Sequence, residues 1–169
     1  MLFRSQTLHD LVTDLPNRAL FMDRLQQALL VAQRDKQPLI VLVTNLNRFR
    51  EINDTLGQDT GNLALSEVAI RLRATLRLSD TIARSGGDEF AILLRSPEKT
   101  EIDTAARRVL KALAAPMVLN GNSVSISASM GIAIFPQHAQ TADELLQRAS
   151  VAMYTAKHSH SDYAVYTPL

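Results

Sequence analysis

The 169-residue sequence contains no cysteine and no tryptophan. Without cysteine there is no disulfide framework, no thiolate metal centre and no thiol nucleophile. Aromatic residues make up only 5% of the chain, and glycine and proline occur six times each, which excludes collagen-like and Pro/Gly-rich disordered chains. Charge of one sign is also missing: 18 basic and 17 acidic residues leave a formal charge of +1. A binder of nucleic-acid polymers usually shows a strong basic excess. No apolar run approaches the roughly 18 residues that a membrane-spanning helix needs. The opening MLFRSQTLHD lacks the basic start, apolar stretch and small-residue exit of a signal peptide. The cytoplasm is therefore the expected compartment, and no membrane contact is expected of this domain.

What is present fits one globular domain. Hydrophobic residues are 46% and charged residues 21%, and a chain of this length can bury about two thirds of its unfolded surface. Arginine outnumbers lysine, 14 to 4. GC-rich codon usage explains this as readily as a need for bidentate recognition of phosphate or guanine.

Helical periodicity runs from Pro16 to Arg34, with Pro16 expected in the first helical turn. Leu39 to Val43 is short, branched and apolar and reads as a buried strand. Arg48 to Leu56 reads as a short helix closed by Gly57, and Leu63 to Leu78 as a longer one. Thr81 to Arg84 and Phe90 to Leu94 read as two strands joined by a tight turn at Gly86-Gly87, with the glycines expected to supply positive φ. Ile102 to Ala115 is helical, and Asn120-Gly121 marks a second hairpin. Ser123 to Ser129 alternates serine with Val124, Ile126 and Ala128, the period of a half-buried strand whose serines form a solvent face or polar seam. Gly131 to Phe135 continues it. Thr141 and Glu144 form a capping-box pattern at the start of a helix reaching Lys157, and Tyr163 to Tyr166 reads as a final strand. This mixture predicts an α+β fold with helices packed on a central, mostly antiparallel sheet. The whole chain, 1–169, is expected to be one domain. Residues 1–14 would lead in from an upstream helix or linker, and 163–169 would lead out to a downstream domain.

The densest chemistry lies in Arg84-Ser85-Gly86-Gly87-Asp88-Glu89-Phe90. Glycines without β-carbons let a phosphate or base approach the backbone. Adjacent carboxylates can hold a hard divalent cation, which prefers oxygen ligands. A solvated hairpin tip with ordinary acidic residues explains the same segment equally simply.

Gly86 to Phe90 spells the signature of the GGDEF domains, the diguanylate cyclase family. Three further segments resemble that family in the same order: Asp10 to Arg18, Asn45 to Asp54, and Ala149 to Lys157. The resemblance implies a sheet flanked by helices, related to the palm of polymerases and nucleotidyl cyclases. It implies condensation of two GTP molecules into cyclic di-GMP across a homodimer, assembled through neighbouring domains and assisted by Mg²⁺. Residue by residue, it implies catalytic roles for Asp88, Glu89 and Lys157, with Lys157 on a terminal phosphate. Asp88, Glu89 and Asn45 would occupy the metal positions. Asn53, Asn62, Phe49, Gly86 and Gly87 would line the nucleotide site. Arg77 and Asp80 match the family's RxxD inhibitory site for cyclic di-GMP, although a surface ion pair fits such a short pattern as well.

The chain departs from the family at several of these positions. Asn45 and Asn47 stand where acidic residues are usual, and Asn62 replaces the Asp that accepts from guanine N–H groups. Gln58 stands where His is common, and Ser161 where an Arg often follows the lysine. An amide brings no charge to a metal, and losing even a group that only orients a ligand typically costs about 10–100-fold. A guanine donor left unpaired at Asn62 would cost roughly 1–3 kcal/mol. These departures imply a weakly active or inactive regulatory module that binds GTP, cyclic di-GMP or both, with Mg²⁺ bound weakly or not at all. An active cyclase and a ligand-free dimerisation scaffold are the alternatives.

Overall fold

A computed structural model describes residues 8–95 and 99–168. Residues 1–7, the start of the expected leading segment, and Leu169, at the expected exit, lie outside the described residues. In chain order the elements are α1 (Arg18–Asp35), β1 (Leu39–Leu46), α2 (Phe49–Leu56), α3 (Gln58–Thr75), β2 (Thr81–Arg84) and β3 (Glu89–Arg95). Then follow α4 (Lys99–Ala114), β4 (Met117–Leu119), β5 (Asn122–Val124), β6 (Ala128–Phe135), α5 (Ala142–His158) and β7 (Tyr163–Val165).

The central sheet has the strand order β2-β3-β1-β6-β7. Every pairing is antiparallel except β6 with β7. β1 is buried along nearly its whole length, and its side chains alternate between two cores. Ile40, Leu42 and Leu46 face a core shared with Leu65, Val68 and Leu72 of α3 and Val109 and Leu113 of α4. Leu39, Val41 and Val43 face a second core shared with Phe21, Leu25 and Leu29 of α1 and Leu145, Leu146 and Ala149 of α5. The expected α+β architecture is therefore present, with helices on both faces of the sheet. Among the described residues, no helix is long and apolar enough to cross a membrane.

Several local expectations hold in detail. Asn120 (φ 50°) and Gly121 (φ 81°) turn the β4–β5 hairpin in the left-handed region, as a two-residue hairpin loop requires. Thr141 caps α5 by accepting from the Glu144 N–H at 3.2 Å. Its hydroxyl donates in return to Glu144 Oε1 at 3.1 Å, so the box closes side chain to side chain.

Others need correction. Pro16 lies outside α1, whose cap is Asn17, accepting from the Leu20 N–H at 3.1 Å. α3 starts at Gln58 and not Leu63, because Gly57 (φ 96°) reverses the chain in a single residue. It ends before Leu78, which is fully exposed. The serine stretch is not one strand: β5 ends at Val124 and β6 begins at Ala128. Gly86 and Gly87 are not among the glycines with positive φ, which are Gly57 and Gly121. A wider turn needs no left-handed residue to connect β2 and β3.

Candidate functional site

Alternation along β1 decides where Asn45 points. It shares a face with Leu39, Val41 and Val43, the face that α5 covers. In the ladder it lies opposite Glu89 on one side and Ser129 on the other. Lys157, near the end of α5, is thereby brought to it from 112 positions away in the chain.

The Asn45 amide is used at both ends. Its Oδ1 accepts from Lys157 Nζ at 2.5 Å, and its Nδ2 donates to Asp88 Oδ1 at 3.0 Å. The two hydrogen bonds fix which end of the amide faces which partner. Glu89 Oε2 accepts from Ser85 Oγ at 2.8 Å. The structure thus brings Asn45, Asp88, Glu89 and Lys157 together. Asn47 is not with them. It belongs to the serine seam, accepting from Ser129 Oγ and donating to Ser127 Oγ, both at 3.0 Å.

The signature turn is held from behind. The Ser85 and Gly86 N–H groups donate to the Glu89 carbonyl at 2.9 and 3.3 Å. Arg84 donates to the carbonyls of Gly86 and Gly87, the shortest contact being 2.7 Å, and to both oxygens of Asp10. Burial alone would push the Asp10 carboxyl up, but hydrogen bonds from Thr13 and the charge of Arg84 hold it below its usual range. Arg84 and Ser85 of the signature segment and Asp10 of the leading motif segment thus shape the turn, a role that sequence spacing did not assign to them. A β-carbon on Gly87 would meet nothing within 4 Å, and one on Gly86 only Glu89 Cβ at 3.6 Å. What the glycines contribute is therefore an open approach to the backbone.

A second cluster lies between α2 and α3. A β-carbon on Gly61 would fall 1.7 Å from Asn53 Oδ1, so only glycine lets Asn53 sit where it does. Asn53 Oδ1 is buried without a hydrogen-bond partner. Asn62 Oδ1 accepts from Gln58 Nε2 at 3.3 Å. Phe49 lies in the core beside this cluster, 6% exposed, supporting it from below.

Arg77 and Asp80 line a cavity of about 190 Å³ together with Arg95, Glu101 and Arg108. Asp80 Oδ2 accepts from the Arg77 backbone N–H at 3.0 Å, and burial pushes its carboxyl up. The Arg77 guanidinium donates to Glu101 Oε1 at 3.4 Å. Arg95 and Arg108 are cavity residues that sequence spacing gave no means of finding.

The sequence profile described as "Diguanylate cyclase, GGDEF domain" matches residues 7–162. The chain belongs to the GGDEF family. This GGDEF domain is 46% identical over 150 residues to the bifunctional diguanylate cyclase/cyclic di-GMP phosphodiesterase MucR of Pseudomonas aeruginosa, a match covering 89% of the chain and 22% of MucR. It is 45% identical over 155 residues to the diguanylate cyclase TpbB of the same species, covering 90% of the chain and 35% of TpbB. The domain thus spans about a third or less of the length of these relatives. A solved structure comprising only the GGDEF domain of TpbB superposes with a TM-score of 0.88 at 42% identity, covering 94% of each chain. The domain is a diguanylate-cyclase-family module of cyclic di-GMP signalling. Diguanylate cyclases of the family generally use Mg²⁺.

Proposed function

We propose that this GGDEF domain binds guanine nucleotide and converts GTP to cyclic di-GMP weakly or not at all, serving as a cytoplasmic regulatory module. The observation that carries this reading is the Asn45 amide, hydrogen-bonded to Lys157 and Asp88 together. When bound, Mg²⁺ supplies charge neutralisation and an activated hydroxyl. The residues present do not fit that ion. Asn45 brings no charge, its one carbonyl oxygen is taken by Lys157, and its N–H faces the Asp88 carboxylate. Glu89 is engaged by Ser85. Among the described residues, no group of three or more His, Cys, Asp and Glu side chains is set to hold a metal ion.

Nucleotide binding is the part of the function that these residues still support. Asn53 offers a buried acceptor without a partner, which a guanine N–H would satisfy. Asn62 offers one acceptor where the family's Asp offers two. Arg77, Arg95 and Arg108 supply donors suited to the phosphates and the guanine O6/N7 edge of cyclic di-GMP, and the Asp80 carboxylate supplies an acceptor for guanine N–H groups. MucR is named for both cyclase and phosphodiesterase activities. A guanine-nucleotide sensor beside a phosphodiesterase domain is the setting proposed for this module, with homodimers forming through neighbouring domains.

The test is product formation from GTP and Mg²⁺, followed by chromatography at high protein concentration, since condensation needs two loaded subunits face to face. The unaltered domain is expected to yield no cyclic di-GMP above the Glu89→Ala background. The Asn45→Asp, Asn62→Asp double variant is expected to yield product and to bind GTP more tightly with Mg²⁺ than without. Turnover by the unaltered domain that Glu89→Ala abolishes would establish an active cyclase instead, the reading that the intact Gly86 to Phe90 run favours.

A further inference from the structure

We propose that in this chain the Lys157 ammonium takes over the charge role of a divalent cation, so that the site holds the phosphates of a guanine nucleotide without one. This rests on the reading that the domain binds guanine nucleotide.

The argument starts from the 3.0 Å contact between Asn45 Nδ2 and Asp88 Oδ1. An Asp at position 45 would set a carboxylate oxygen at that spacing from a second carboxylate. Two like charges so close tolerate each other only with a cation or a shared proton between them. Asn45 fills the same gap with an N–H, so the pair is satisfied with nothing added. The other end of the amide receives Lys157 Nζ, which places a fixed positive charge beside the turn. Asn45, Asp88 and Lys157 thus form a closed donor–acceptor chain: ammonium to amide oxygen, amide N–H to carboxylate.

The same substitution alters what an approaching triphosphate meets. One negative charge is removed from the site, while the ammonium remains, on an exposed side chain free to donate two further hydrogens. Immediately after Asn45-Leu46-Asn47 comes the start of α2, where Arg48 (φ 58°) stands at the cap without a side-chain capping hydrogen bond. Arg48 and Arg50 are both exposed there. Phosphate oxygens reaching Asn45 and the signature turn would meet the Lys157 ammonium and its remaining hydrogens without a metal bridge.

Calorimetric titration of the domain with GTP, once in EDTA and once in Mg²⁺, decides the matter. The expected dissociation constants agree within about threefold between the two conditions. Asn45→Asp should weaken binding in EDTA and make it depend on Mg²⁺ by about tenfold or more. Lys157→Met, a change on an exposed side chain, should weaken binding in EDTA by about tenfold or more. Binding by the unaltered domain that appears only with Mg²⁺ would overturn the inference and leave the nucleotide-binding reading standing. Equal affinity of Lys157→Met in EDTA would also overturn it. Binding in neither condition would remove both.

Discussion

A methyl group at position 61 would sit 1.7 Å from Asn53 Oδ1 and 2.9 Å from its Cγ. No rotamer adjustment of a few tenths of an ångström relieves such an overlap, so Asn53 must leave its place. The displaced group is the end of a flexible side chain, and Ala is favoured over Gly within a helix by about 1 kcal/mol. Gly61→Ala is therefore expected to leave the unfolding free energy within about 1 kcal/mol of its original value. It should weaken GTP binding by about tenfold or more, the outcome of leaving a guanine donor unpaired. Calorimetry beside denaturant unfolding separates the two effects. At the same scale, Asn45 shows how a single amide can both accept from a cation and donate to an anion, which no carboxylate can do.

Between elements, β6 packs tightly on α5. A β-carbon on Gly131 would lie 2.0 Å from the Ala149 carbonyl oxygen and 2.1 Å from the Met153 nitrogen. Both obstacles are backbone and belong to a helix, so the helix itself must move away from the sheet. Gly131→Ala is expected to destabilise the domain by about 3 kcal/mol or more, at or beyond the upper end of overpacking costs. A lowered midpoint in urea with an unchanged slope would bear this out. Because α5 carries Lys157, a helix lifted off the sheet should also lose the Asn45 contact. The hairpin turn between β2 and β3 depends on a different element, the segment before α1, through the Arg84–Asp10 pair at 3.0 Å.

For the molecule as a whole, His138 ties stability to pH. Its Nδ1 accepts from the Ile134 N–H at 2.9 Å, and its ring meets Tyr166 edge-on at 5.7 Å. Burial, and then the charge of Arg148, push its pKa below the ordinary 6.5. The unfolded chain therefore binds a proton that the folded chain refuses, and stability rises with pH across that interval. His138 contributes its full stability above about pH 6.5 and loses it as the pH falls through 6.5 toward the lower folded value. Urea unfolding at pH 7.5 and 5.5 should show a smaller decline in His138→Asn, whose amide oxygen can keep the Ile134 hydrogen bond.

The sequence by itself determined the α+β class and the family. Periodicity and turn chemistry are local, so Leu39 to Val43, Asn120-Gly121 and Thr141 with Glu144 declare their conformations within a few residues. The motif segments likewise carry the GGDEF signature in short stretches. Where a local signal had two physical solutions, the sequence could not choose. Gly86-Gly87 fits a tight left-handed turn or a wider one, and the Arg84 contacts to its carbonyls accompany the wider one. Asn45 and Asn47 look alike in the sequence, two residues apart on one face of the chain. Only the tertiary structure separated them, because α5 delivers Lys157 to Asn45 while the seam of Ser127 and Ser129 takes up Asn47. Pairings between residues 43 and 112 positions apart depend on how the sheet and helices pack, and no local pattern encodes them.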